Sequence, residues 1–312
     1  MLIRHYSKSS PRSSGFTRQL NMTVIHERYR IIRELSPTLY GWVFACEDMQ
    51  QRMGPAPPAA NISAVAIKQV SLERMTNFMR DHPCDGHTPD NPVVERELGD
   101  LLRSIGGHPN LIQYQDSFVE QQTMYLVMEH CAGGDMYDYL RQRTLSCTNA
   151  LSVLSQVAAG LAFLHDHGIA HRDVSLENIM LHHGRCKLGD FGLATRAPCV
   201  GGRHVGKKYY MAPEIVAGSM YDPKTADVWS LGIVLFIMLT GSPLVSLACT
   251  SVKSFRALKQ AGVSRVLDAW GLTATMSTNA VDLLSGMLET DPRKRLTINQ
   301  VLNHHALKDL LC

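Results

Sequence analysis

A chain of 312 residues, 45% hydrophobic, 19% charged and 7% aromatic, is long enough for two lobes and is neither a disordered nor a disulfide-stapled sequence. Its 31 Lys and Arg against 28 Asp and Glu leave a net charge of +3, too small to imply a nucleic-acid or polyanion partner; any phosphate chemistry has to be local. The eight cysteines form no CxxC pair, so no zinc ribbon or dithiol site is written here, and a reducing cytoplasmic or nuclear compartment fits best.

In chain order, residues 1–26 carry Arg4, Lys8, Arg12 and Arg18 with many serines and no acid, a composition shared by mitochondrial transit peptides and disordered tails. Residues 1–28 are assigned to a tail, because no Arg-rich amphipathic face repeats. Rough alternation from Tyr29 to Ala45 predicts two strands, the proline-rich run from Gln50 to Ala60 a loop insertion, and Ser63 to Val70 a third strand. A second insertion rich in Pro, Asp and Gly covers Asp81 to Pro92. After it Val94, Leu98, Leu101, Leu102 and Ile105 recur at helical spacing until Gly106 and Gly107. Leu111 to Val119 and Thr123 to Met128 read as strands, and helical patterns dominate beyond Gly133 and Gly134. The expected division is a sheet-rich lobe over 29–130 and a helical lobe over 131–312. The most apolar run, Leu231 to Leu239, is far shorter than the ~20 residues of a membrane span and reads as a buried core helix ended by Gly241 and Pro243.

Four short motifs occur in a fixed order: VAIK at 65–68, HRDVSLEN at 171–178, DFG at 190–192 and APE at 212–214. With YLVMEHCAGGD at 125–135, DVWSLG at 227–232 and DPRKRL at 291–296, the chain resembles the eukaryotic protein kinase family from about Tyr29 to Leu307. The resemblance implies an α+β, bilobal fold and use of ATP and Mg2+. Phosphoryl transfer asks mainly for positioning and charge neutralisation. The resemblance gives Lys68 to the α and β phosphates, Asp173 to the substrate hydroxyl, and Asn178 and Asp190 to magnesium through hard oxygen donors. His171 and Phe191 would be apolar support beneath them. An adenine slot is implied between Val43, Ala66, Met128 and Met180, with Glu129 to Cys131 as hinge and Gly41 and Asp135 also on the nucleotide side. Glu214 and Arg295 resemble the family's structural ion pair.

Several positions depart from that pattern. The loop that should carry three glycines reads SPTLYGWV at 36–43 and keeps only Gly41, so weaker ATP affinity is expected. Counting back from His108 leaves the glutamate that partners Lys68 ambiguous: Glu97 is favoured because Leu101 then falls at i+4, and Glu95, which would put Gly99 there, is second. Serine/threonine members of the family carry a lysine two residues after the catalytic aspartate, where this chain has Ser175. Lys207, at a position where those members have a threonine, is expected to carry the relocated cation, with Lys208 as the fallback. Arg196 to Lys208 offers no hydroxyl for a phosphorylation switch, so Arg172 needs another partner.

The reading is a protein kinase phosphorylating serine or threonine of a protein substrate, with Lys68, Glu97, Asp173, Asn178 and Asp190 at its centre. Its rival is a pseudokinase acting as a binding or scaffold module.

Overall fold

The computed structural model describes residues 23–52, 64–82, 87–273 and 276–308. Tyr29–Pro37 (β2) buries Tyr29 and Ile31 on one face and pairs antiparallel with Gly41–Asp48 (β3), which pairs with Ala64–Ser71 (β4). Val24–Ile25 (β1), Tyr114–Glu120 (β5) and Thr123–Glu129 (β6) complete a six-stranded sheet in the order β1-β2-β3-β4-β6-β5. Strand β1 lies within the span expected to be tail, and Arg28 is tied to Asp48 at 2.7 Å, so the sheet starts earlier than Tyr29. Most of the first insertion falls at 53–63, outside the described residues.

The reason for keeping Gly41 is packing: it stands opposite Val70 in the β3–β4 ladder, and a Cβ there would overlap the Gln69 carbonyl oxygen. A helix over Leu72–Asp81 (α1) was not among the expected elements. Leu72, Met75 and Phe78 recur along it at helical spacing, and Ser71 caps it by accepting from the Arg74 amide. Pro92–Ser104 (α2) begins with Pro92 in its first turn and Asn91 as its cap, accepting from the Val93 amide at 3.0 Å.

Among its described residues the second lobe is helical apart from the hairpin Ile179–His182 (β7) and Arg185–Leu188 (β8). Its helices are Met136–Gln142 (α3), Cys147–Asp166 (α4), Pro213–Val216 (α5), Pro223–Thr240 (α6), Lys253–Ala269 (α7), Thr278–Met287 (α8), Ile298–Leu302 (α9) and His305–Lys308 (α10). Helices α4 and α6 are long and apolar enough to cross a membrane by length and composition. Both are core helices: α6 is buried on every face from Ala226 to Met238 and packs against α4 and α8. Burying a large apolar side chain contributes about 1.5–3 kcal/mol, so Trp229, Leu231 and Phe236 anchor the platform under the site. Helix α6 ends at Gly241, whose φ of 73° is the left-handed cap that glycine takes without strain.

Candidate active site

Lys68 enters the site from β4, and its Nζ lies 2.5 Å from Glu95 Oε2, 3.3 Å from Asp190 Oδ1 and 3.5 Å from Asp90 Oδ2. The partner on α2 is therefore Glu95; Glu97 is exposed on the opposite side of the helix, correcting the expected assignment. The physical reason lies at Gly99, four residues after Glu95. A Cβ there would come within 2.7 Å of the Tyr114 ring, so the notch left by Gly99 is filled from β5. Tyr114 donates its hydroxyl to Glu95 Oε1 at 2.7 Å, and its ring lies 5.9 Å from that of Phe191, which lies 5.3 Å from that of His171. Tyrosine from the sheet thus supplies the apolar support that Leu101 was expected to give. Burial alone would lower the Lys68 ammonium, but Asp190, Glu95 and Asp90 together hold it well above its usual value. Burial pushes the Glu95 carboxyl up to about 7, against the pull of Lys68.

Asp227 at the start of α6 organises the catalytic loop. Its buried carboxylate accepts from the His171 amide at 2.8 Å, the Arg172 amide at 2.7 Å and His165 Nε2 at 2.9 Å. Those bonds hold Arg172 at a φ of 64°, a left-handed conformation uncommon outside glycine, and Asp190 across the site has the same φ. His171 donates from Nε2 to the Gly189 carbonyl at 3.1 Å and accepts at Nδ1 from the Asp173 amide at 3.2 Å, which fixes one neutral tautomer; burial lowers its pKa accordingly.

Asp173 Oδ2 receives Asn178 Nδ2 at 2.7 Å and Lys207 Nζ at 2.6 Å, whereas its buried Oδ1 has no hydrogen-bond partner among the described residues. Lys207 Nζ also reaches Ser175 Oγ at 3.0 Å. Burial alone would depress the Lys207 ammonium; Asp173, Glu177 and Asp190 hold it above its usual value. Lys208 is exposed and makes no ion pair among the described residues. The turn that presents Lys207 is anchored by the Tyr210 amide, which donates to the Lys207 carbonyl at 2.9 Å, while the Tyr210 carbonyl accepts from Ser230 Oγ on α6 at 2.8 Å.

Arg172 donates through Nε to the Leu193 carbonyl at 2.6 Å, and its guanidinium interacts electrostatically with the Tyr221 side chain. Tyr221 is itself paired with Val200 through backbone bonds of 2.8 and 3.0 Å. Glu214 and Arg295 form a buried bidentate pair at 2.6 and 3.0 Å, with the guanidinium 5.2 Å from the Trp229 ring.

Comparison with known proteins decides the family. The protein kinase domain model matches residues 59–307. The chain belongs to the protein kinase family. The match begins beyond the segment 36–43, which keeps only Gly41 of its three expected glycines, and its end agrees with the expected Leu307. The chain is 30% identical over 294 residues to calcium-dependent protein kinase 20 of Oryza sativa subsp. japonica, covering 92% of this chain and 48% of the relative. It is 36% identical over 253 residues to a CDPK-related protein kinase of Daucus carota, covering 78% and 39%. It is 31% identical over 263 residues to the probable serine/threonine-protein kinase HSL1 of Saccharomyces cerevisiae, covering 80% and 16%. The chain thus spans half or less of the length of these curated relatives.

In this kinase domain Val43, Ala66, Lys68 and Met128 share one face of the sheet, because Val43 stands opposite Lys68 and Ala66 opposite Met128. Met180 comes from β7, which is stitched to the segment joining the lobes by Leu181 N to Gly134 O at 2.8 Å and Gly133 N to Leu181 O at 3.1 Å. Gly133 permits that approach, since a Cβ would lie 2.6 Å from the Leu181 carbonyl oxygen. The Glu129 carboxylate is engaged by Lys187 Nζ and the Gln113 amide, both at 2.8 Å, so the hinge offers a base its backbone. Burial pushes the Cys131 thiol up to about 12, which leaves it an inert packing group. Asp135 caps α3 by accepting from the Asp138 amide at 2.7 Å. Asn178 and Asp190 suit a hard cation: the Asn178 amide nitrogen is occupied by Asp173, its Oδ1 has no partner among the described residues, and Lys68 keeps the Asp190 carboxyl below its usual range although burial opposes this.

Sequence reasoning did not find Asp90, Tyr114, Asp227 as loop organiser, or Tyr221. Asp90 lies inside an insertion with no motif; Tyr114 became legible only with the glycine it faces.

Proposed function

We propose that the chain transfers the γ-phosphate of ATP to serine or threonine of a protein substrate, with Lys207 supplying the cation that the catalytic loop lacks at Ser175. The observation that carries this reading is the Lys207 ammonium, 2.6 Å from Asp173 Oδ2 and 3.0 Å from Ser175 Oγ, beside the group that meets the substrate. The serine/threonine choice is supported by the name of the yeast relative. A reducing compartment is supported by the six free cysteines among the described residues.

In this mechanism Lys68, held by Glu95, orients the α and β phosphates. Asp173 takes up or directs the proton of the attacking hydroxyl, while Asn178 and Lys207 hold its carboxylate through Oδ2. Lys207 offsets negative charge that grows on the transferring group, in a site whose burial strengthens the interaction. Magnesium, held by Asn178 and Asp190, would neutralise phosphate charge there. Glu177, half-buried near Lys207, favours a basic residue upstream of the acceptor.

The test is transfer of radiolabel from ATP to a serine/threonine peptide library, with Asp190→Asn as the blank. Transfer above the blank supports the reading. Transfer no greater than the blank overturns it in favour of a binding or scaffold module.

A further inference from the structure

The segment that leads into α2 is fastened to the site from three sides. Tyr40, in the loop between β2 and β3, donates its hydroxyl to the Asp90 carbonyl at 3.0 Å. The Asn91 amide donates to the Gly192 carbonyl at 3.0 Å, and the Thr88 amide to the His204 carbonyl at 2.9 Å. These bonds set the backbone of Asp90 where the loop, α2 and the activation segment meet, and they aim its side chain at two partners. One carboxylate oxygen lies 3.5 Å from Lys68 Nζ; the other rests against Gly192, where any Cβ would overlap it.

Asp90, Glu95 and Asp190 are close enough together to suggest a cation site, but Lys68 is already the cation among them. Glu95 is committed to Lys68 and Tyr114, whereas Asp90 has the longest separation from the ammonium of the three carboxylates. A nucleotide brings its own phosphates to the same ammonium, so Asp90 and the incoming anion compete for one positive charge and repel each other.

We propose that Asp90 is a positioning residue of the nucleotide site, a carboxylate that contests Lys68 with the phosphates and so limits how tightly a nucleoside triphosphate is held. This rests on the kinase reading, which puts those phosphates at Lys68. The device is separate from the worn glycine loop: it acts through charge, and its backbone anchors survive a change of side chain.

The test is calorimetric titration of the full chain with ATP, with magnesium and with chelator, for the parent, Asp90→Asn and Asp90→Ala. Asparagine keeps the shape and removes the charge, so Asp90→Asn should bind ATP about three- to tenfold more tightly, with the KM for ATP falling in parallel. A merely structural role would weaken binding in both variants. The gain should shrink in a Lys68→Met background, where only the direct repulsion of Asp90 and the phosphates remains. Unchanged or weaker binding by Asp90→Asn overturns the proposal, as would a gain that is undiminished without Lys68. Weakening seen only with magnesium would make Asp90 a cation ligand and also overturn it. A parent chain that binds no ATP under either condition would instead sink the kinase reading itself.

Discussion

The Ser175 hydroxyl, fully buried in the catalytic loop, lies 3.0 Å from the ammonium of Lys207, 32 residues further along the chain. Residue 175 lacks a cation, and residue 207 brings one into its place. Lys207→Ala should therefore lower kcat about a hundredfold, the ~3 kcal/mol of one preorganised electrostatic contact, with little change in the KM for ATP. Lys208→Ala is the control, since Lys208 is exposed. Steady-state kinetics checks both, and the double variant Ser175→Lys with Lys207→Thr should recover part of the lost rate. If Lys207→Ala stays within a few-fold of the parent, the exchange is wrong.

The second prediction separates the two glutamates of α2. Glu95→Gln leaves Lys68 without its 2.5 Å anionic partner and should reduce phosphoryl transfer at least about tenfold, whereas Glu97→Gln, on the exposed side, should stay within about twofold. Tyr114→Phe removes the 2.7 Å hydrogen bond to Glu95 and should destabilise the fold by about 0.5–1.5 kcal/mol, measured by urea denaturation. Equal rates for the two glutamine variants would reject the assignment.

The difference between Glu95 and Glu97 marks where sequence reasoning reached its limit. Motifs are contiguous, so Lys68, Asp173, Asn178 and Asp190 were legible, and Ser175 announced a missing charge that pointed to Lys207. Helix facing was inferred from side chains alone. That logic favoured Glu97 because Leu101 follows it, and it could not foresee a glycine whose empty side is filled from another strand. Tyr221 and Asp90 were hidden for a similar reason: their partners, Arg172 and Lys68, are remote in sequence, and neither residue type signals its role by spacing. The strands from Tyr29 to Met128 and the core helix at Leu231 were legible from periodicity. Strand β1 was too short to produce a pattern.

Activity should not require phosphorylation of the activation segment. Arg172 already donates to the Leu193 carbonyl, and Tyr210, one of three hydroxyl residues between Asp190 and Glu214, is buried. Enzyme treated with phosphatase should retain its rate. A rate that collapses on dephosphorylation, with the site mapped to Thr195 or Tyr209, would contradict this.

The fourth prediction concerns pH. His171 is neutral in the fold, with a pKa lowered by burial, while an unfolded histidine titrates near ~6.5. As pH falls through that value the unfolded chain takes up a proton before the folded one does, so the contribution of His171 is fully present above about 6.5 and is lost on acidification. His171→Phe cannot titrate. Urea midpoints measured between pH 7.5 and 5.5 should therefore fall less steeply for the variant, and identical slopes would show that this histidine is not the titrating group.

The Gly99 notch also bears on pharmacology. A compound that needs room behind Lys68 has to evict the Tyr114 ring, which fills the notch and holds Glu95 at the same time. Tyr114→Ala would open an apolar hole beside Phe191 in the same stroke, so a ligand with a matching bulge would distinguish the engineered enzyme from the parent. Selectivity would then come from shape at the back of the cleft, leaving the hinge contacts common to both.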